Sequence, residues 1–447
     1  MPPRRLSSHD LALLATHHPA LSARLAARTV GSPMTVVHDG VGVAAFEGEV
    51  LALSLLAADR LVLSRSPKYH RPRGATCLRG HCEGCLVRYD GEPNVMACLS
   101  TVRRGAEAHS QNAFPTAGLD LMRVTDWFFP KHLDHHHLMV DFGAAVNRTM
   151  QRLTRKLAGL GTLPEEPRTP VEAAEHTVDA LVVGAGQSGI GAANALAAAG
   201  LRVLVCDEAP APGGAALDAL DTPLDTLARL DPRVGCLTGT AAVATYDDTT
   251  LLVDGVRLYS VRARARVFAN GGIASVGTFV NNDAPGVYTR DAFARALRQG
   301  VLASDRALFV GPGAAALGAI AKTLPHRGHK IEAEGTVVEA VGSGRVKGAV
   351  LTVGGARRQV TNIEALVVDT PAHAAYELAG QAGAEIVWSP AMRCFTPQRT
   401  PDGATRVPGV FVTGSLCLGE ATVAARHADG ARVGAHAAEW LNERATP

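Results

Sequence analysis

The sequence predicts an α+β domain of β-grasp type joined to an α/β body of two dinucleotide-binding domains, the second truncated. Three stretches of the 447 residues carry this: a cysteine-rich loop at Ala75–Ser100, a strand–glycine turn–helix–strand series at Val178–Asp207, and a shortened series near Gly311. The length alone sets a prior of several domains. A net charge of +2 provides no basic face for nucleic acid, and 4% aromatic residues provide few platforms for stacked bases. No stretch reaches the ~20 predominantly apolar residues of a membrane span. Leu181–Val205 comes nearest, and Gly, Gln, Ser and Asn interrupt it.

Residues 1–33 read as an amphipathic helical extension. His17, His18, Arg24 and Arg28 break up any apolar core of a signal peptide, so a cytoplasmic location is expected. In that reducing compartment clustered cysteines bind metal or do redox chemistry more often than they form disulfides. Residues 34–110 alternate short strands, one helix and the cysteine loop. "MTVVHDGVGVAAFEG" is a hairpin turning at Asp39-Gly40, and "EVLALSLLAADRL" has helical periodicity. Residues 111–177 connect: irregular at first, helical through "AAVNRTMQRLTRKLAGLG", then a Pro- and Glu-rich linker. From residue 178 strands alternate with helices across Gly-rich turns. A first nucleotide-binding part spans 178–288, a degenerate domain 289–371, and a returning second part 372–447.

The cysteine spacing, Cys77-x4-Cys82-x2-Cys85-x12-Cys98, is that of plant-type ferredoxin [2Fe–2S] sites. Two irons need four thiolates. Three can come from one tight loop and the fourth from a neighbouring strand. Gly80 and Gly84 let the loop turn closely, so that its N–H groups point at sulfur. A four-cysteine zinc site is the alternative, but zinc favours paired C-x2-C knuckles, and one such pair is present. Cys206, Cys236, Cys394 and Cys417 are scattered and read as packing residues.

In "VDALVVGAGQSGIGAANALAAAGLRVLVCDEAPAPGG" a buried strand runs into Gly184-x-Gly186-x-x-Gly189 and a small-residue helix. Gly184 makes the turn, Gly186 admits a pyrophosphate, and Gly189 lets the helix close on the strand. A second strand ends in Asp207, 23 positions after Gly184, close to the spacing of a ribose-binding acid. Glu208 is the alternative should the strand be offset by one. Gly214, which closes the stretch, counts with the cofactor-binding residues. Two later features favour FAD over NAD. "RARVFANGG" is similar to the strand and turn that close an FAD domain, with Ala269-Asn270-Gly271 where Ala-Thr-Gly is usual. "VPGVFVTGSLCLGEATVAARHADGARVGAHAAEWL" is similar to the C-terminal FAD strand and helix, with Gly414-Ser415 where Gly-Asp is usual.

"SPKYHRPRG", the cysteine loop, "HSQNAFP" and "VNNDAPGVYT" together resemble the α subunit of heterotetrameric sarcosine oxidase and its relatives. Those relatives are hydrogen cyanide synthase, opine oxidases and dye-linked proline dehydrogenases. The resemblance covers nearly all of 34–441. It implies a ferredoxin-like domain fused to a two-domain flavoprotein, with FAD and a [2Fe–2S] cluster as cofactors. It also implies a D-amino-acid-oxidase-like flavoprotein partner in a hetero-oligomer, together with an electron acceptor. The partner would oxidise the amine, and any membrane association would run through the complex. No acid, base or nucleophile set for substrate chemistry stands out in this chain, which agrees.

The series at "RALFVGPGAAALGAIAKTLPHRGHKIEAEGTVVEAVGSG" departs from the NAD pattern. Ala316 replaces the third glycine, and the ribose-binding strand reads as deleted, so no NAD(P) is expected here. A self-contained NAD(P)H-dependent FAD/[2Fe–2S] oxidoreductase and a scaffold with vestigial cofactors are the other readings. Weaker signals are His132, His135, His136 and His137 with Asp134, an interface or cofactor-gating segment or else a metal site. Lys68, Tyr69, His70, Arg71 and Arg73 line either a cofactor or a structural strand. Asn281, Asn282 and Asp283 form a capped turn, and Arg148–Lys156 is a solvated helix face.

Overall fold

The computed structural model describes residues 4–28, 31–66, 69–113, 116–121, 143–157, 173–325, 327–419 and 421–444. The segment His132–His137 and Lys68 lie outside the described residues. The chain divides into two compact units, Met1–Pro167 with Val276–Thr370, and Arg168–Ser275 with Pro371–Pro447. The first joins the cysteine domain to the degenerate nucleotide domain, and the junction expected at 288/289 falls at 275/276 in this division.

The N-terminal extension is two helices, not one. α1 (Ser8–His17) opens with a reciprocal capping box between Ser7 and Asp10. Pro19 cannot donate the N–H that would continue α1, and instead it starts α2 (Pro19–Ala27). β1 (Pro33–His38) and β2 (Val41–Phe46) form the expected hairpin. Asp39 and Gly40 both take positive φ, 50° and 74°, as a two-residue Asp-Gly turn requires. The buried helix α3 (Leu51–Ala57) is shorter than its periodic stretch because Asp59 takes a left-handed conformation, φ 59°, just past its end. β3 (Leu86–Tyr89), β4 (Glu92–Met96) and β5 (Glu107–Ser110) complete a five-stranded sheet ordered β2-β1-β5-β3-β4. Only its β1–β5 pair is parallel. α4 (Ala144–Leu157) follows.

β6 (Ala174–Val183), α5 (Gln187–Ala198), β7 (Val203–Asp207) and β8 (Gly235–Thr238) start the second unit's sheet: three parallel strands with the helix between the first two. β9 (Ala241–Tyr246) and β10 (Thr249–Val253) are an antiparallel pair, and β11 (Leu258–Phe268) returns beside β6, giving the order β8-β7-β6-β11-β10-β9. Ala180 and Val182 enter one core with α5, while Leu181 and Val183 enter the core on the opposite face. Burial on both faces is why β6 reads as a continuous apolar run. The segment ends in a two-residue strand, Gly272–Ile273, which His373–Ala374 pairs antiparallel when the chain returns.

In the degenerate domain β12 (Val287–Thr289), α6 (Arg290–Arg298), β13 (Ala307–Val310) and α7 (Pro312–Lys322) lead to β14 (Lys330–Glu332). β14 pairs parallel with β13, so the second strand is present and ends in an acid, Glu332. This corrects the sequence reading. Three residues are too few for periodicity to separate a parallel strand from the meander after it. The truncation lies beyond β14, where the chain turns into the antiparallel meander β15 (Thr336–Val341), β16 (Gly348–Val353) and β17 (Ala356–Thr361). β18 (Ala365–Val368) completes the parallel order β12-β18-β13-β14. Back in the other unit, β19 (Val410–Val412) adds parallel to β11, and α8 (Val423–Glu443) crosses α5.

Candidate functional site

The four cysteines converge in the first unit, in two pairs. Cys77 and Cys82 hydrogen-bond each other, as do Cys85 and Cys98. The hydrogen bond from Cys77 holds Cys82 down to about 5, against the opposing effect of burial. Cys77 is pushed up by the same bond and by burial. In the second pair Cys85 is lowered and Cys98 raised for the same reason. In each pair one sulfur is thus shifted toward the thiolate and its partner away from it. Backbone N–H groups supply the rest of the cradle: Arg79 to Cys77 Sγ at 3.4 Å and Gly80 to Cys98 Sγ at 3.2 Å, with Gly84, Thr76 and Cys77 directed at Cys82. Gly80 takes φ +78° to do this, and Gly84 is required for a different reason. A Cβ there would lie 2.1 Å from the Gly74 carbonyl, where the strand "RPRG" runs against the loop.

This donor set fits a [2Fe–2S] cluster. Two thiolates per iron is what the pairing offers, and N–H groups aimed at sulfur stabilise its negative charge. Burial pushes His81, inside the loop, down to about 4, helped by the Arg79 and Arg295 charges, so its ring is neutral near pH 7. The approach strand is anchored structurally. Asp120 Oδ2 lies 3.0 Å from His70 Nδ1 and 3.4 Å from Arg65 Nε, and Arg73 pairs with Asp283 of the Asn281–Asp283 turn.

In the second unit Gly184 sits at φ +102°, where a Cβ would meet the Ala269 carbonyl at 2.5 Å. A Cβ on Gly189 would lie 1.8 Å from the Gly184 carbonyl. Gly186 differs: nothing lies within 4 Å of its Cβ position, and as the first residue before α5 it leaves the helix N-terminus without a side-chain cap. Open space before uncapped N–H groups fits a pyrophosphate. Gly214 closes the other side, its Cβ position 2.8 Å from Gly186 Cα. Asp207 is occupied differently from expectation. Its Oδ2 accepts the Ala185 N–H at 2.6 Å and its Oδ1 the Ala209 N–H at 2.8 Å, so it props the turn. Glu208, exposed and next in line, is the better placed of the two for a ribose. Asn270 donates to the Ala375 carbonyl, and its buried Oδ1 has no hydrogen-bond partner; Gly271 follows at φ +77°. An orphaned acceptor beside the Gly184 turn again fits a bound group.

Gly414 stands at φ +74° with its Cβ position 2.3 Å from Ser188 Oγ, so the C-terminal turn closes on the start of α5. Sequence reading missed what holds it. Asp429, buried on α8, accepts the Gly414 N–H at 3.0 Å, the Thr413 hydroxyl at 2.7 Å and both Arg399 nitrogens at 3.0 Å. Burial alone would raise its carboxyl, but those hydrogen bonds outweigh burial and hold it below the usual range. Cys206 and Cys394 are buried and Cys236 and Cys417 half-buried, and burial pushes Cys206 and Cys417 up to about 12.

In the degenerate domain the equivalent turn is filled from within. Asp369 Oδ2 accepts the Gly313 N–H at 2.6 Å at the start of α7, and Arg290 pairs with the other oxygen at 3.0 Å. A carboxylate already holds the place a phosphate would take. Glu332, at the end of β14, pairs with Arg358.

Residues 31–113 match the family model described as a 2Fe-2S iron-sulfur cluster binding domain, and residues 182–240 match an NAD(P)-binding Rossmann-like domain. The sarcosine oxidase subunit alpha of Rhizobium meliloti is 28% identical over 443 residues, covering 87% of this chain and 45% of that protein. Thus the chain spans less than half the length of this relative. The hydrogen cyanide synthase subunit HcnA of Pseudomonas aeruginosa is 35% identical over 79 residues, 18% of this chain and 75% of that subunit. Among solved structures, the L-proline dehydrogenase from P. horikoshii shares the fold, with a TM-score of 0.67 at 19% identity, over 95% of this chain and 76% of that one.

Proposed function

The chain belongs to the family of the sarcosine oxidase α subunit and the hydrogen cyanide synthase HcnA subunit, and from that premise we propose that it is an electron-transfer subunit of a multi-subunit oxidoreductase. The enzyme acts on the CH–NH or CH–NH2 group of an amine or amino acid. The observation that carries the reading is the two N–H-supported thiol pairs, set in the same chain as a dinucleotide turn whose Gly186 faces open space. FAD, when bound, exchanges electrons in pairs and a [2Fe–2S] cluster exchanges them singly, so together they convert one currency to the other.

The chain's own residues bind and orient. Gly184, Gly186 and Gly189 with the N-terminus of α5 receive the pyrophosphate, Gly214 closes over it, and Glu208 takes the ribose. Asn270, Gly271 and Gly414 line the flavin side. Cys77, Cys82, Cys85 and Cys98 hold the cluster. Amine oxidation belongs to a D-amino-acid-oxidase-like flavoprotein partner in a hetero-oligomer. No described helix is long and apolar enough to cross a membrane, and the expected setting is the cytoplasm.

Anaerobic purification followed by absorption and EPR spectroscopy tests the cofactors, and identification of co-purifying chains tests the partner. Yellow-brown protein with a reducible two-iron signal and a second flavoprotein is expected. A colourless, iron-free chain overturns the reading.

A further inference from the structure

Leu78, the residue after Cys77, is buried and held at φ +52°. A branched side chain adopts that conformation only when its surroundings impose it. The constraint comes from the degenerate nucleotide domain. Arg295, on α6, donates through Nη1 to the Leu78 carbonyl at 2.8 Å. At the start of the same helix the Thr289 N–H donates to the Thr76 carbonyl at 3.1 Å. The peptide oxygens on both sides of Cys77 are therefore held by one helix and its cap. That helix is fixed in turn: the Thr289 hydroxyl accepts the Ala292 N–H, and Arg290 pairs with the Asp369 carboxylate that fills the Gly313 turn.

The peptide that Arg295 grips is the one whose nitrogen faces sulfur. The Leu78 carbonyl and the Arg79 N–H belong to a single planar unit, and that N–H donates to Cys77 Sγ. A guanidinium on the oxygen polarises the unit and strengthens its donor end. Reduction adds negative charge to the cluster and its sulfurs, so a stronger donor on a ligating sulfur favours the reduced form.

We propose that Arg295 is a positioning residue for the cluster: acting through the Leu78–Arg79 peptide, it fixes the N–H···S contact at Cys77 and raises the cluster's reduction potential. The domain that lost its nucleotide site thereby serves as a clamp on the cluster loop. This rests on the reading of the chain as a [2Fe–2S] electron carrier.

EPR-monitored redox titration of the purified full chain tests it, comparing wild type with Arg295→Gln and Arg295→Lys. Arg295→Gln keeps a neutral donor on a shorter side chain and loses the charge. It is expected to retain flavin and iron and to show a lower cluster potential, with Arg295→Lys lying between it and wild type. An Arg295→Gln potential equal to that of wild type overturns the proposal. Iron loss in Arg295→Gln that Arg295→Lys does not share supports the clamp, and iron loss in both overturns it. A wild-type chain without any cluster signal overturns the functional reading itself, and this proposal with it.

Discussion

Cys82 is the half-buried member of the thiol pair it forms with buried Cys77, and it is one of the three thiolates the loop supplies. Cys82→Ser is expected to remove the two-iron EPR signal, to leave flavin absorbance in place, and to cut electron transfer to or from the partner. Transfer at the wild-type rate would refute the role of the cluster as electron port. Asp429 poses a different test. Its carboxyl is held below its usual value in the fold, so the stability it contributes is present above about pH 4, the unfolded value. That stability drains away as the pH falls further through the folded value. Circular dichroism against pH should show Asp429→Asn losing this acid-dependent component. Asp429→Ala, which leaves the Gly414 N–H and the Thr413 hydroxyl without their buried acceptor, is expected to cost about 1–3 kcal/mol. The cysteines were legible in the sequence because their spacing is local. Asp429 was not, because its partners Thr413, Gly414 and Arg399 lie in other elements and no periodicity links them. Asp207 was legible as the acid ending a strand, but only the fold reveals that both its oxygens serve backbone N–H groups.

The α5–α8 crossing and the α5 N-terminus separate two kinds of glycine. Gly430 brings the helices together: a Cβ there would lie 1.9 Å from the Ser188 carbonyl, and one on Gly434 would lie 2.3 Å from that of Ala192. Gly430→Ala is expected to lower the melting temperature, at a cost of about 1–3 kcal/mol from overpacking. Gly186→Val meets no protein atom at its Cβ and sits in extended backbone, so it should keep the melting temperature of the flavin-free chain while losing FAD. Equal flavin content in Gly186→Val and wild type would move the pyrophosphate elsewhere. The first glycine turn was readable because strand, turn, helix, strand and acid follow in order. β14 was not, since a three-residue strand owes its identity to β13 beside it rather than to its own pattern.

Across the whole molecule, the two nucleotide-binding domains have opposite fates: one turn stands open at Gly186 and the other is filled by Asp369. NADH mixed with the purified chain in a stopped-flow spectrometer is therefore expected to leave the flavin oxidised; rapid bleaching would favour the self-contained NAD(P)H-dependent reading. The domain series was legible from turn chemistry and strand–helix alternation. The grouping of residues 276–370 with the cysteine domain was not, because it depends on contacts such as Arg295 to Leu78, which join positions far apart in the chain. The ladder of Gly272–Ile273 with His373–Ala374 has a practical outcome. The chain leaves the flavin-type unit and rejoins it at facing residues of one antiparallel pair, so the excursion between them is topologically a hairpin loop. Loop length enters folding free energy only logarithmically. In a chain begun at Arg168, the start of that unit, splicing Ile273 to His373 through an Asn-Gly turn should thus excise the excursion as a cassette and leave a minimal yellow protein, portable to other redox assemblies.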